Sequence, residues 1–385
     1  MARKVRPLVP FGRSLPTMNR TVDVVIVGAG PVGLFLGCCL QERGVSFVIL
    51  EKRTEPSHQS RSIGIHPPSL ELLDRTGLAE KLIECGVKIR RGAACCGRQR
   101  LGDVNFARGP GEFGFILSVP QHMTERVLSD RLQQDVVRRG DDVVGLKDEG
   151  DCVRVMAREA SGKTEWCAKF VAGCDGPAST VRKLIGSSFD GGAYPDFFAM
   201  GDFADTTGWG AEARIFLDSR GFIESFPLPG NMRRWVMRTC DSSARSDQER
   251  FAAEVEERCR VKIGDAIEPM STFGVSHFLA SDFSRGRVAL AGDAAHVMSP
   301  FGGQGMNIGW MDAWDLAGTI SERKNLGSYP NRAHKRAGAA IRRAEQNLAI
   351  GRGFGMPRLR TALVSAALHL PIQSWIVHRF TLRGI

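Results

Sequence analysis

Residues 22–51 read VDVVIVGAGPVGLFLGCCLQERGVSFVILE, and the rest of the chain is arranged around them. Val24, Val25, Ile26 and Val27 form a short β-branched run that ends at a glycine, the pattern of a buried parallel strand. Gly28, Gly30 and Gly33 follow in G-x-G-x-x-G spacing. The first glycine permits a tight turn, the second lets the backbone approach a pyrophosphate, and the third lets the next helix pack close to the strand. Residues 31–43 are predicted to be that helix, with Leu34, Leu36 and Leu40 on apolar positions and its N-terminal amides facing the phosphates. A second strand over 47–50 ends at Glu51, whose carboxylate suits the two hydroxyls of an adenosine ribose and repels a 2′-phosphate. Between strand and helix, with an acid closing the next strand, the pattern specifies a dinucleotide site. It leaves NAD and FAD both open.

Working outward, the length of 385 residues predicts two or so domains with a substantial core. Apolar residues make up 43% and charged residues 24%, the composition of a soluble globular protein. The formal charge of +10 suits anionic ligands or surfaces, but it comes from scattered residues with no basic block, which argues against nucleic acid. The ten cysteines show no C-x-x-C pair, so neither a zinc ribbon nor a dithiol site is expected. Free thiols in a reducing cytoplasm are the expectation. Residues 1–21 lack the apolar core of a signal peptide and read as a flexible basic leader. No stretch reaches the ~18 uninterrupted apolar residues of a membrane span.

After residue 51 a polar loop over 54–61 contains Arg61, and two short helices follow, broken at Gly77. His66, ahead of two prolines, reads as structural. Residues 88–118 are glycine-rich and alternating, and a helix opens near Gln121. Residues 143–155 and 164–172 form a small antiparallel meander. The run 171–182, VAGCDGPASTVR, returns to the opening pattern of strand, turn and helix, with Asp175 in the turn. Between 190 and 275 aromatics (Tyr194, Phe198, Phe203, Phe216, Phe222, Phe226 and Trp235 among them) lie in strand-like runs that could wall an apolar pocket or simply fill a sheet core. The third nucleotide-type stretch runs from 287 to 307, RVALAGDAAHVMSPFGGQGMN. Asp293 sits on its strand-to-helix turn, where it suits a hydroxylated linker such as ribitol. Pro300 and the loop Gly302, Gly303, Gln304, Gly305 bring bare backbone against a flat ring, and the helix from Met306 onward points its amides there.

With these three motifs in this order, residues 22–350 resemble the class A FAD-dependent monooxygenases, typified by para-hydroxybenzoate hydroxylase. The resemblance implies an α/β fold: a Rossmann-like FAD-binding domain, an interleaved β-sheet substrate domain, and C-terminal helices. It places 22–97, 119–189 and 276–350 in the FAD domain, 98–118 and 190–275 in the substrate domain, and 351–385 in a helical tail. Gly28, Gly30 and Gly33 would hold the pyrophosphate, Glu51 the ribose with Lys52 beside it, and Asp293 the ribitol and phosphate region. Pro300, Gly303, Gln304, Gly305, Met306 and Asn307 would line the isoalloxazine ring. Arg61 would meet FAD and influence nicotinamide docking, Gln121 would lie beside FAD, and Asp175 would touch both FAD and NAD(P)H.

The implied reaction uses NADPH or NADH to reduce the flavin, then O2, which adds at the flavin C4a carbon before one atom passes to an aromatic ring or alkene. This chemistry belongs to the cofactor, which explains why no metal cluster and no Ser-His-Asp set is seen. A base that ionises a phenol is not identified. The implied substrate is a small apolar, aromatic, quinone or polyketide-like molecule. A flavin-dependent reductase of isoprenoid-like compounds and a non-catalytic FAD-binding protein are the alternatives. A halogenase would need a W-x-W-x-I-P stretch, which is missing. Asp315 stands where the family carries Asn; as a neighbour of the flavin it would lower the flavin's potential, and otherwise it is a change on a helix surface, the favoured expectation. The uncharged run 361–377, flanked by arginines, fits a final helix pair packed on the FAD domain, or a peripheral membrane contact through 356–385 of a cytoplasmic protein.

Overall fold

The β-branched run of the opening stretch becomes an inner strand of a parallel sheet. In this computed structural model, which describes residues 20–56, 62–160, 162–239, 247–323, 325–352, 357–370 and 373–385, the strand Arg20–Val27 pairs in parallel with Phe47–Glu51 on one side and Gly162–Gly173 on the other. The basic leader and Arg61 therefore lie outside the described residues, apart from Arg20 and Thr21, which belong to the first strand. Val288–Leu290 adds in parallel beyond Gly162–Gly173, so all three motif strands end at one edge of one sheet. Val24, Val25 and Ile26 are wholly buried, as a strand covered on both faces requires. The antiparallel strands Asp142–Asp148 and Val153–Glu159 extend the sheet through Gly162–Gly173, forming the expected meander.

The helix Pro31–Glu42 follows the glycine loop and buries eight residues from Gly33 to Leu40. It packs on the helix Gln304–Arg323, where the Trp310 ring lies 6.0 Å from Phe35 and its indole N–H donates to the carbonyl of Pro31 at 3.0 Å. The first and third motifs are thus clamped together by their own helices.

A second sheet of eight strands runs His296–Val297, Ser271–Ala280, Phe189–Ala204, Met232–Thr239, Gly221–Leu228, Glu212–Asp218, Arg91–Cys96 and Gln99–Asn105. Residues 91–96 hydrogen-bond into this sheet, earlier in the chain than the expected start at 98. One face is covered by the helix Gln248–Cys259, whose Phe251 and Val255 meet Phe203, Phe216 and Trp235. The other face looks toward the first sheet. Among the aromatics singled out above, only Phe226 borders the space between the sheets; the others fill core, because strand alternation turns them away or helices cover them.

One expectation is corrected. Cys152 and Cys167 are joined in a disulfide. The antiparallel register sets Val153 opposite Ala168, which brings the two cysteine Cα atoms to 6.1 Å across 15 residues of sequence. The other described cysteines are free. The tail helices Pro357–His369 and Gln373–Phe380, with the residues after them, meet the segments expected to form the FAD domain, where Arg383 pairs with Glu71 at 2.7 Å and Leu382 packs with Met298 and Ile308, and they also meet the second sheet. Leu368 closes over Gly102, Ser365 donates its hydroxyl to the Leu101 carbonyl at 2.8 Å, and Val377 joins Ile89, Phe106 and Ala213. They cap the far edge of the second sheet, leaving Leu363, Leu370 and Trp375 exposed. Among the described residues no helix is long and apolar enough to cross a membrane.

Candidate functional site

A cavity of about 1180 Å³ lies between the two sheets, and it begins at the glycine loop. Gly28 has φ +104°, and a Cβ there would stand 2.5 Å from the Cys174 carbonyl oxygen, so the turn excludes any side chain. Gly30 has ordinary backbone angles and nothing within 4 Å of a built Cβ: its missing side chain leaves open space on the cavity side. No side chain caps the helix that starts at Pro31, and its first turn carries no acid, so its amides are available to an anion. Gly33 does not line the cavity. A Cβ on it would lie 2.0 Å from the Gly28 carbonyl oxygen, which is why helix and loop can approach so closely.

Glu51 is buried at the cavity wall beside the exposed Lys52. One carboxylate oxygen accepts from the Ala29 amide at 2.8 Å; the other accepts from the Arg53 amide at 3.0 Å and guanidinium at 3.1 Å. Burial pushes this carboxyl up, but these donors outweigh it and hold it below the ordinary range. Glu51 therefore also ties the glycine loop to the second strand.

The second motif also has a structural part. Asp175 borders the cavity, yet its carboxylate accepts from the Ser179 hydroxyl at 2.6 Å and the Thr180 and Val181 amides at 2.7 and 3.1 Å, capping the helix Thr180–Leu184. Arg182 is buried, donates to the carbonyls of Ala294 and Pro177, and lies over the Phe189 ring. It holds the second motif against the third. Gln121 accepts from the Ser62 amide at 3.2 Å and so anchors the end of the loop that contains Arg61.

In the third motif Asp293 is exposed on a single 3-10 turn, Gly292–Ala294, and borders the cavity, as do Pro300, Gly303, Gln304, Gly305 and Met306. The long helix starts at Gln304, two residues earlier than expected. Gln304 is wholly buried, and neither polar atom of its side chain has a partner within the protein. Asn307 does not line the cavity. It accepts from the His66 amide at 2.9 Å and donates to the carbonyls of Gly64 and Gly303 at 2.9 and 2.7 Å, fixing the loop to its neighbour. Asp315 is paired with Arg332 on the helix flank, away from the cavity.

The cavity then opens onto the inner face of the second sheet, lined by Met200, Ile215, Leu217, Phe226 and Val236. Three groups here escape a reading of the sequence alone. Glu224 is buried in the middle of this apolar face, and burial pushes its carboxyl up to about 8 although the Gly302 amide acts the other way. His66 is buried, borders the same cavity and hydrogen-bonds the Gly302 backbone, and burial pushes it down to about 4, so it is neutral at pH 7. Asn347, on the helix Tyr329–Arg352, is buried with both side-chain polar atoms unpartnered. The signal for Glu224 is present in GFIESFP, where a lone acid shares its face with Phe222 and Phe226. The arrangement offers an anion cradle, a hydroxyl-binding acid and a flat backbone loop, followed by an apolar chamber. The unfilled space at Gly30 and the orphaned Gln304 fit an extended dinucleotide.

Comparison with known proteins gives consistent matches. A family model described as an FAD binding domain matches residues 21–344. Rifampicin monooxygenase of Streptomyces venezuelae is 33% identical over 304 residues, 76% of this chain and 63% of the relative. A 12-dehydrotetracycline 5-monooxygenase/anhydrotetracycline 6-monooxygenase of Streptomyces rimosus is 33% identical over 327 residues, 78% of this chain and again 63% of the relative. The chain thus spans a little under two thirds of these curated relatives. The crystal structure of p-nitrophenol 4-monooxygenase from Pseudomonas putida superposes with a TM-score of 0.85 at 25% identity, covering 95% of this chain and 99% of that one.

Proposed function

The chain belongs to the FAD-binding-domain family of class A, aromatic hydroxylase-like flavin monooxygenases, and on that premise we propose that it is itself an NAD(P)H-consuming monooxygenase. Its substrate is an apolar aromatic, quinone or polyketide-like molecule, hydroxylated or epoxidised with O2. The observation that carries this reading is the continuity of one cavity from the glycine loop to the apolar sheet face. A binding-only protein needs the first half of that cavity and not the second.

In this reading Gly28, Gly30 and the amides after Pro31 hold the pyrophosphate of FAD. Glu51 takes the ribose hydroxyls, Lys52 lies beside the adenosine half, and Asp293 meets the ribitol. Pro300, Gly303, Gln304, Gly305 and Met306 face the ring, with Gln304 supplying the polar atoms that lack a partner within the protein. Gln121 and Asp175, which border the cavity, lie beside FAD, and Gly33 and Asn307 act by holding these loops in place. When bound, FAD supplies hydride acceptance and oxygen transfer. The protein's part is to orient the ring, exclude water with the apolar face, and keep His66 neutral beside the loop.

Oxygen uptake with NADPH or NADH, with and without candidate substrates, tests the reading; incorporation of labelled oxygen into product is expected. Substrate turnover without oxygen uptake would instead mark a reductase. Glu51→Ala is expected to raise the FAD dissociation constant about ten- to hundredfold, because charge-assisted hydrogen bonds are lost and the Ala29 amide is released. Fluorescence titration of the apoprotein with FAD reads this directly; an unchanged constant would remove Glu51 from the ribose site.

A further inference from the structure

Glu224 stands on the inner face of the second sheet, and among the described residues no cation balances it. Its cross-strand neighbours are Ile215 and Val236, and along its own strand the same face carries Phe222 and Phe226. Arg234 lies on this face too, but its guanidinium is held by both oxygens of Asp202, at 2.6 and 2.7 Å. His66 borders the same cavity but is kept neutral by burial, and Lys88, from the neighbouring strand Val87–Ile89, is exposed over the Phe115 ring. The Gly302 amide is its one partner named here, and a single neutral donor leaves a carboxylic side chain in such surroundings without a balancing charge.

The facing helix adds a second, independent observation. Gly351 packs so tightly on Phe222 that a Cβ would lie 2.6 Å from its ring. Asn347, one turn earlier on the same helix face, is therefore directed at the same stretch of strand. It borders the same cavity, is 2% exposed, and has neither its amide N–H nor its carbonyl satisfied. Two buried polar side chains from opposite walls thus converge on an apolar chamber beside the 300–303 loop.

We propose that Glu224 is the proton acceptor for an acidic hydroxyl, phenolic or enolic, on the substrate, and that Asn347 binds a neighbouring oxygen of the same molecule. This deepens the monooxygenase reading and rests on it for the identity of the chamber. The substrate O–H bond breaks, its proton passes to a Glu224 carboxylate oxygen, and its electron pair stays on the substrate oxygen, enriching the ring that is to accept an oxygen atom. The group suits this role, because its carboxyl, pushed up to about 8, lies within about 2 units of an ordinary phenol.

The test uses the full chain loaded with FAD and two probes, 2-naphthol and its methyl ether, 2-methoxynaphthalene, whose binding is measured by equilibrium dialysis. Wild type is expected to prefer the naphthol at least about tenfold at pH ~9, with the preference rising as the pH passes through about 8. Glu224→Gln keeps the shape but cannot take the proton; it should lose about tenfold of that preference and flatten its pH dependence. If that variant fails to retain FAD, Glu224→Asp replaces it, since the shortened side chain withdraws the carboxylate and the same loss is expected. Equal preference in wild type and variant, or no preference in wild type, overturns the proposal. Neither NAD(P)H nor oxygen turnover enters the measurement, so its failure leaves the monooxygenase reading standing, and a failed oxygen assay leaves this result intact.

Discussion

Gly33→Ala is expected to destabilise the protein by about 3 kcal/mol or more, the upper end of overpacking effects, and to release FAD with it. The added methyl would stand 2.0 Å from the Gly28 carbonyl oxygen and 3.3 Å from the Cys174 side chain. The first obstacle is backbone, so no rotamer change relieves it. Either the helix Pro31–Glu42 moves away from the strand, or the glycine loop shifts into the cavity. The first loosens the packing of Phe35 on Trp310, and the second deforms the phosphate cradle. Gly30→Ala provides the contrast. Its φ of −77° suits any residue and its Cβ meets nothing. Stability should be unchanged while FAD affinity falls, because the methyl projects into the space assigned to the pyrophosphate. Denaturant unfolding of the apoproteins together with FAD titration separates the two. Equal effects of both substitutions on unfolding would show that the three glycines do not divide their roles in this way.

This division is legible in the sequence because a glycine loop is local geometry: the strand, turn and helix that give it meaning lie within thirty residues. The same holds for the meander and for the helix after Gln121. What is not legible depends on long-range register. Cys152 and Cys167 meet only because an antiparallel pairing aligns them. The tail carries too few charges for its own sequence to say which sheet it covers, and the answer lies with Gly102, where the absent side chain leaves room for Leu368. Glu224 is the sharpest case. Alternation alone puts it beside Phe222 and Phe226, but only the edge-on contact of Phe222 with Phe301 and the approach of Gly351 show that this face borders the nucleotide loop.

Asp312→Ala is expected to destabilise the protein by about 3–5 kcal/mol at pH 7, the usual result of removing one partner of a buried charge pair. Asp312 is wholly buried in the helix Gln304–Arg323, whereas Trp314, two residues on, turns outward to meet the Arg43 guanidinium. One carboxylate oxygen accepts from Arg336 at 2.8 Å; the other lies 2.6 Å from His296 Nε2 and accepts from the Gly292 amide at 3.3 Å. Truncation takes the nearer carboxylate from Arg336, which keeps only Asp315 at 3.5 Å, and leaves a turn amide without its acceptor. Burial pushes the Asp312 carboxyl up, but His296 and Arg336 outweigh it and hold it below the ordinary carboxylate range. A group whose folded value is lowered contributes fully above its unfolded value, about 3.9, and the contribution is lost as pH falls through the lower folded value. The gap between wild type and variant should therefore be constant from neutral pH down to about 4 and close below it. Urea unfolding at a series of pH values reads that gap; one that stays open in acid would show that Asp312 acts through packing and not through charge. Because Gly292 opens the turn that carries Asp293, the variant should also hold FAD less tightly even where it remains folded. A loss of FAD in the folded variant would tie this buried pair to the cofactor site through a single backbone amide.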